Sequence, residues 1–238
     1  MKIEALTQID PALFADMKVY LQSGKWEIAF DSPTALWLRH INGRLHAMAV
    51  FDPAEARKLL ALISPEDAVC ARGCNDLREP AFEHGFNRYN PCRQVVYEKT
   101  APLPVVTELT IRHPDEKDFP KIAESYKMSN EEQLREDFES PDFLGGYLNG
   151  EFVGYIDVHK EGAMGILHVF PPYRRRGYAE ALYRTLINNQ LKKNRLPFAQ
   201  VLKENTASLE LQRKTGLRIS DDLIYWIWRD DEKNDGDH

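Results

Sequence analysis

Apolar residues recur along this chain in two alternating rhythms. Phe143–Leu148 and Phe152–His159 alternate apolar and polar positions, as strands do, on either side of Asn149-Gly150, a two-residue hairpin turn. Ala163–Phe170 is a third apolar strand, halted by Pro171-Pro172, which cannot donate to a ladder. Tyr178–Lys193 then carries Ala181, Leu182, Leu186, Ile187 and Leu191 at helical spacing. Pro197–Leu202, Asn205–Thr215 and Leu223–Trp228 predict strand, helix and strand. Upstream, Glu108–His113 has the pattern of a strand, and Pro114–Lys127 that of a helix with proline at its start and acids in its first turn. Ser129-Asn130-Glu131-Glu132 predicts the cap of a second helix reaching about Glu139. The order β-α-α-β-β-β-α-β-α-β predicts an α/β fold, a mixed sheet with helices on its faces.

Part of this rhythm occurs earlier as well. Sliding residues 41–51 onto 160–170 pairs Gly43 with Gly162, Val50 with Val169, Phe51 with Phe170 and, just beyond, Pro53 with Pro172. A helical run, Ala54–Ile63, follows the first stretch as Tyr178–Lys193 follows the second. Next come a strand at Asp67–Arg72, a helix opened by Asn75 and ending near Gly85, and a closing strand at Cys92–Lys99. Such long-period self-similarity predicts two copies of one fold. The expected division is a first domain over 1–100, a proline-bearing linker over 101–104, a second domain over 105–230, and a charged, disordered tail over 231–238.

The two copies differ at one turn. In the second, the strand runs into Arg174-Arg175-Arg176-Gly177-Tyr178-Ala179 and then a helix. The first turn of a helix leaves N–H groups unpaired, and its dipole favours an anion there. Gly177 lets the backbone come close, and three arginines add forked donors. This is a recipe for holding a pyrophosphate. The first copy offers Glu55-Ala56-Arg57-Lys58-Leu59-Leu60 instead, with an acid and no glycine, so it is expected to pack and to shape an acceptor cleft without binding a phosphate.

Charge sharpens the contrast. The 238 residues carry 37 acidic and 31 basic side chains, a net charge of −6, which gives no bulk attraction for nucleic acid or membrane. No apolar run approaches membrane-spanning length, and Met1-Lys2-Ile3-Glu4 does not open like a signal peptide, so a cytoplasmic location is expected. Cys70, Cys74 and Cys92 are no even disulfide set; Cys70-x-x-x-Cys74 and nearby His84 lack ligand spacing, so free thiols and no metal are expected.

The turn resembles motif A of the GCN5-related N-acetyltransferases, Gln/Arg-x-x-Gly-x-Gly/Ala, here Arg174-x-x-Gly177-x-Ala179. Asn205-x-x-Ser208-x-x-Leu211 and Lys214-x-Gly216-Leu217 resemble the family's motif B. Within the family the second half is most similar to acyltransferases of the FR47 and glycine N-acyltransferase type, through Val169-Phe-Pro-Pro-Tyr173-Arg-Arg-Arg-Gly177 and Leu196-Pro197-Phe198. The resemblance implies tandem halves with only the second holding acetyl-CoA, and a small-molecule amine or amino acid as acceptor. It implies a cofactor site at Leu167, His168, Val169, Arg174, Arg175, Arg176, Gly177, Tyr178, Ala179, Asn205 and Ser208. It also implies that the strand ending in Val169 splays from Pro197–Leu202, freeing backbone groups for the pantetheine arm.

Acyl transfer to an amine needs a base, a stabilised oxyanion and a proton for the leaving thiolate. His168 is the base of choice, because imidazole titrates near neutrality, with Glu161, His159 and Asp157 behind it. Many members of the family carry a tyrosine in motif B as general acid; Gln212 stands there in this chain, leaving Tyr173, Tyr178 or Tyr225 to substitute. Glycine N-acyltransferases tend to carry Glu where this chain has Pro172. The alternative function is an acyl-CoA-binding or regulatory module without catalysis.

Overall fold

In the computed structural model, residues 3–41, 43–74, 77–126 and 131–230 are described. The first half runs α1 (Ile3–Ile9), α2 (Ala15–Gln22), β1 (Trp26–Asp31), β2 (Ala35–His40), β3 (Leu45–Val50), α3 (Pro53–Leu60), β4 (Ala68–Arg72), α4 (Arg78–Glu83) and β5 (Arg88–Val96). The second runs β6 (Thr110–Arg112), α5 (Phe119–Ser125), α6 (Glu131–Phe138), β7 (Leu144–Leu148), β8 (Glu151–Val158), β9 (Met164–Val169), α7 (Tyr178–Lys192), β10 (Phe198–Leu202), α8 (Thr206–Lys214) and β11 (Arg218–Trp228). After β6 the order α-α-β-β-β-α-β-α-β occurs again, so the self-similarity of the sequence is a repeat of the fold.

Two elements differ from expectation for local reasons. The helix expected from Pro114 is preceded by a 3-10 turn, Glu116–Asp118, because Asp115 and Asp118 close a reciprocal capping box there; α5 therefore starts at Phe119. β11 begins at Arg218, five positions before the expected Leu223. The expected helix opener Asn75, the cap residues Ser129 and Asn130, Lys127 and the tail 231–238 lie outside the described residues.

One sheet has seven strands in the order β1-β2-β3-β4-β11-β5-β10, and the other four in the order β6-β7-β8-β9. β3 and β4 are parallel, whereas β11 joins β4 antiparallel with Tyr225 opposite Ala71. The closing strand of the second half is thus hydrogen-bonded to a strand of the first. The compact units follow this pairing. One unit takes the described residues up to Gln94, Val201–Thr206 and the described residues from Ile219; the other takes Val95–Gln200 and Ala207–Arg218.

In the first unit, α3 and α4 cover Met48, Val50, Val69, Ala71, Tyr225 and Ile227. In the second, α5 and α6 lay Phe119, Ile122, Leu134 and Phe138 on Tyr147, Phe152, Tyr155 and Ile166 of the four-stranded sheet and on Phe143 just before it. α7 buries Tyr178, Ala181, Leu182, Tyr183, Leu186 and Ile187, the periodic positions that predicted it. It stops where Asn194 adopts a left-handed φ of 55°. The Asn149-Gly150 hairpin has both residues at positive φ, 51° and 84°, as a tight β-turn of that sequence requires.

Candidate active site

β9 is the last strand of its sheet, so its outer edge pairs with no strand among the described residues. Phe170 N–H donates inward to the Val153 carbonyl at 3.0 Å. By alternation Val169 faces the open edge, where its carbonyl accepts from Arg174 Nε at 2.8 Å. A 3-10 turn, Pro171–Tyr173, then lifts the chain off the strand. Arg175 and Gly177 both take left-handed backbone, with φ of 65° and 82°. Gly177 is the N-cap of α7 and supplies no side-chain bond, so the first N–H groups of this 15-residue helix carry no side-chain cap. A Cβ on Gly177 would meet nothing within 4 Å; what demands glycine here is the left-handed turn.

Charge at this helix start is positive on balance. Arg174, Arg175 and Arg176 are exposed. The one acid of the first turn, Glu180, is paired with Arg184 at 2.7 Å and Lys214 at 2.5 Å, and the Lys214 bond holds its carboxyl below the usual range. Tyr178 is buried and donates its hydroxyl proton to Glu108. These residues fit an anionic, phosphate-bearing group: uncapped donors, three cations and open space above Gly177. The matching helix of the first half is closed. The Asp52 carboxylate caps α3 by accepting from the N–H groups of Ala54 at 2.8 Å and Glu55 at 3.1 Å, so an anion fills the place a phosphate would take.

His168 lies half-buried on the face of β9 covered by α5 and α6. Its ring stacks on Tyr155 at 5.6 Å and meets the edge of Phe170 at 5.4 Å. Burial, and then the nearby Arg174 charge, hold its pKa below 6.5, so the imidazole is neutral at pH 7. The strand is bulged next to it. Tyr155 pairs with His168 but Asp157 with Gly165, so Ile166 and Leu167 oppose Ile156 alone. Ile166 has φ of 53°, a strained conformation for a β-branched residue. Glycines permit this packing: a Cβ on Gly154 would stand 2.5 Å from the His168 carbonyl oxygen, and one on Gly165 2.3 Å from His159 Nε2.

Asp157 faces the same side as Tyr155, two residues along β8, with no exposed surface. Neither carboxylate oxygen has a hydrogen-bond partner among the described residues. Burial pushes its pKa up to about 8, with Asp137 and Asp142 adding to the rise and the Val158 N–H and Lys193 opposing it. An acid inside the apolar run Phe152-Val-Gly-Tyr-Ile-Asp157 was the signal in the sequence. Glu161 is half-buried in the β8–β9 turn and acts electrostatically on Tyr126.

The other residues expected from the sequence lie as follows. Tyr225 belongs to the first unit, where it is buried and stacks on Tyr89 at 4.9 Å. Asn205 is exposed immediately before α8, and Ser208 is half-buried in that helix's first turn. Gln212 is buried against Tyr183 of α7. Leu167 and Ala179 are half-buried, in β9 and in the first turn of α7. Tyr173 lies beside Glu151, whose hydrogen bond raises the phenol's pKa. Among the described residues no cluster of His, Cys, Asp and Glu is arranged to hold a metal, and no helix is long and apolar enough to cross a membrane.

Residues 109–217 match the model of the acetyltransferase (GNAT) family. No curated protein matches the chain in sequence. Solved structures share its fold over nearly the whole length. A Drosophila protein is 17% identical, with a TM-score of 0.61 over 93% of this chain and 90% of that one. A putative acetyltransferase of the GNAT family from Novosphingobium aromaticivorans is 16% identical, with 0.56 over 91% and 96%. A GCN5-related N-acetyltransferase from Sphaerobacter thermophilus is 15% identical, with 0.53 over 92% and 89%.

Proposed function

We propose, from the match of residues 109–217 to the acetyltransferase (GNAT) family, that the protein moves an acetyl group from acetyl-CoA to a primary amine. The observation that carries this reading is the uncapped start of α7, ringed by Arg174, Arg175 and Arg176, at the end of the open-edged strand β9. The pyrophosphate would sit on the first N–H groups of α7, and the outward backbone of Leu167 and Val169 would line the pantetheine arm. Acetyl-CoA would supply the activated thioester.

The other steps fall to the chain. His168, neutral and beside the open edge, takes the proton of the acceptor amine. Backbone N–H groups at the bulge around Ile166 would oppose charge on the carbonyl oxygen. Tyr155 holds the imidazole by stacking and is itself fixed by a 2.8 Å bond between its hydroxyl and Ser125. Asp52 supports a single CoA site by closing the corresponding helix of the first half.

A second reading, an acyl-CoA-binding module without turnover, is favoured by Gln212, an amide buried where the family carries its tyrosine acid. Thiol release from acetyl-CoA across a panel of amines and amino acids separates the two. Release that depends on acceptor and collapses in His168→Ala supports the enzyme; tight CoA binding with no acceptor-dependent release supports the module.

A further inference from the structure

Resting on the amine-acetylating reading, we propose that Asp157 and Asp137 seat the ammonium group of the acceptor, and that the acceptor is a cationic amine with no carboxylate beside its nitrogen. Asp157 points to the face that His168 occupies. His168 pairs with Tyr155, and Asp157 stands two residues farther along β8, roughly 7 Å at strand rise. Its carboxylate is fully buried, and both oxygens lack a partner among the described residues. A buried polar group in that condition is costly unless a ligand completes it.

The surroundings specify the ligand's charge. Asp137 approaches from α6 with only 9% of its surface exposed, holding one bond, from Gln133 Nε2 at 3.1 Å. Tyr126, at the end of α5, feels Asp137, Asp157 and Glu161 together. His159 and Lys160 act on Asp137 and Lys193 acts on Asp157, but each of the two lysines is bonded to another acid. Lys160 bonds Gln133 Oε1 at 3.0 Å and also pairs with Glu136. Lys193 is paired with Asp142, which also accepts from Gln190 and Arg195 and so differs from Asp157 in being satisfied. An ammonium brings three donors and no acceptor, matching the two unpartnered oxygens of Asp157 and the neighbouring Asp137 carboxylate. A carboxylate two bonds from the nitrogen would be driven against three acids, so free amino acids are disfavoured.

The test pairs amino acids with their decarboxylated amines, cadaverine against lysine and tyramine against tyrosine, on the full chain with acetyl-CoA. The expected KM is at least about tenfold lower for each amine, and Asp157→Asn raises the amine KM by about tenfold while CoA binding holds. A readout free of turnover is the rise in Tm that cadaverine produces with CoA present, expected in the wild type and lost in Asp157→Asn; Asp137→Asn serves as a second variant and halves the rise. Amino acids used as well as amines, no amine-induced rise, or an equal rise in both variants would overturn the proposal. An intact amine-induced rise with no acyl transfer to any acceptor would instead sink the acyltransferase reading and leave the amine seat standing.

Discussion

Replacing Asp157 with asparagine is expected to stabilise the protein, and increasingly so as pH rises. The carboxyl's ordinary pKa is 3.8, and burial raises it to about 8 in the fold. The folded state therefore binds the proton more tightly than the unfolded chain does. Stability is full below about pH 4 and is lost as pH climbs through 8. At 1.36 kcal/mol per unit, a rise of about four units amounts to roughly 5–6 kcal/mol above pH 8 and roughly 4 kcal/mol at pH 7. Asparagine keeps the shape and cannot ionise, but its buried amide costs about 1–3 kcal/mol unpartnered. The net gain at pH 9 is roughly 2–5 kcal/mol, or about 4–20 °C in Tm for a chain of this length. Asp137, Asp142, Lys193, Tyr126 and Glu161 act on or with this group and are common to both proteins, so the difference between the two Tm curves isolates Asp157. Scanning calorimetry from pH 5 to pH 9 measures it. Parallel curves, or a variant less stable at pH 9, would refute the reasoning that an uncompensated carboxylate is buried there.

Other outcomes follow from the same geometry. His168→Ala should lower turnover about 10²–10⁴-fold and leave the dissociation constant for acetyl-CoA nearly unchanged, since the contacts of β9 are backbone ones; normal turnover would remove His168 from the mechanism. In the wild type the rate should rise with pH through a limb below 6.5, because burial and Arg174 lower the imidazole pKa, and a limb above 7 would contradict that assignment. Gly154→Ala would put a Cβ 2.5 Å from the His168 carbonyl and should cost about 1–3 kcal/mol in denaturant unfolding; an unchanged midpoint would show that β8 and β9 give way easily. Asp16→Ala, which leaves the fully buried Arg72 without its carboxylate, should cost about 3–5 kcal/mol by the same measurement, and a loss under about 1 kcal/mol would contradict the pairing.

Much of the second half was legible because its periods are clean. Phe143–Leu148, Phe152–His159 and Ala163–Phe170 became β7, β8 and β9, and Tyr178–Lys193 became α7 within a residue. The repeat was legible through the match around Val50 and Val169. The exchange that joins β11 to β4 was not, because hydrophobic alternation states which face of a strand is buried and nothing about which strand lies beside it. The same limit hid the contact of Tyr225 with Tyr89. α1, α2, β1 and β2 went unseen: α2 buries Asp16 among Ala15, Met17 and Tyr20, so its buried face is not marked by apolar residues alone. At the site, the Arg-Gly turn announced itself by composition. The side to which His168 points depends on the bulge at Ile166, which no turn residue marks, and the cap that closes the first half's helix came from Asp52, three residues before the segment compared.

Calorimetric titration of the full chain with acetyl-CoA tests the central claim most directly. The expected result is one micromolar site per chain, abolished by Gly177→Glu, which forces a side chain and a negative charge onto the left-handed cap of α7 while leaving the fold intact by circular dichroism. Two equivalent sites, no binding, or binding that survives Gly177→Glu unchanged would contradict the account.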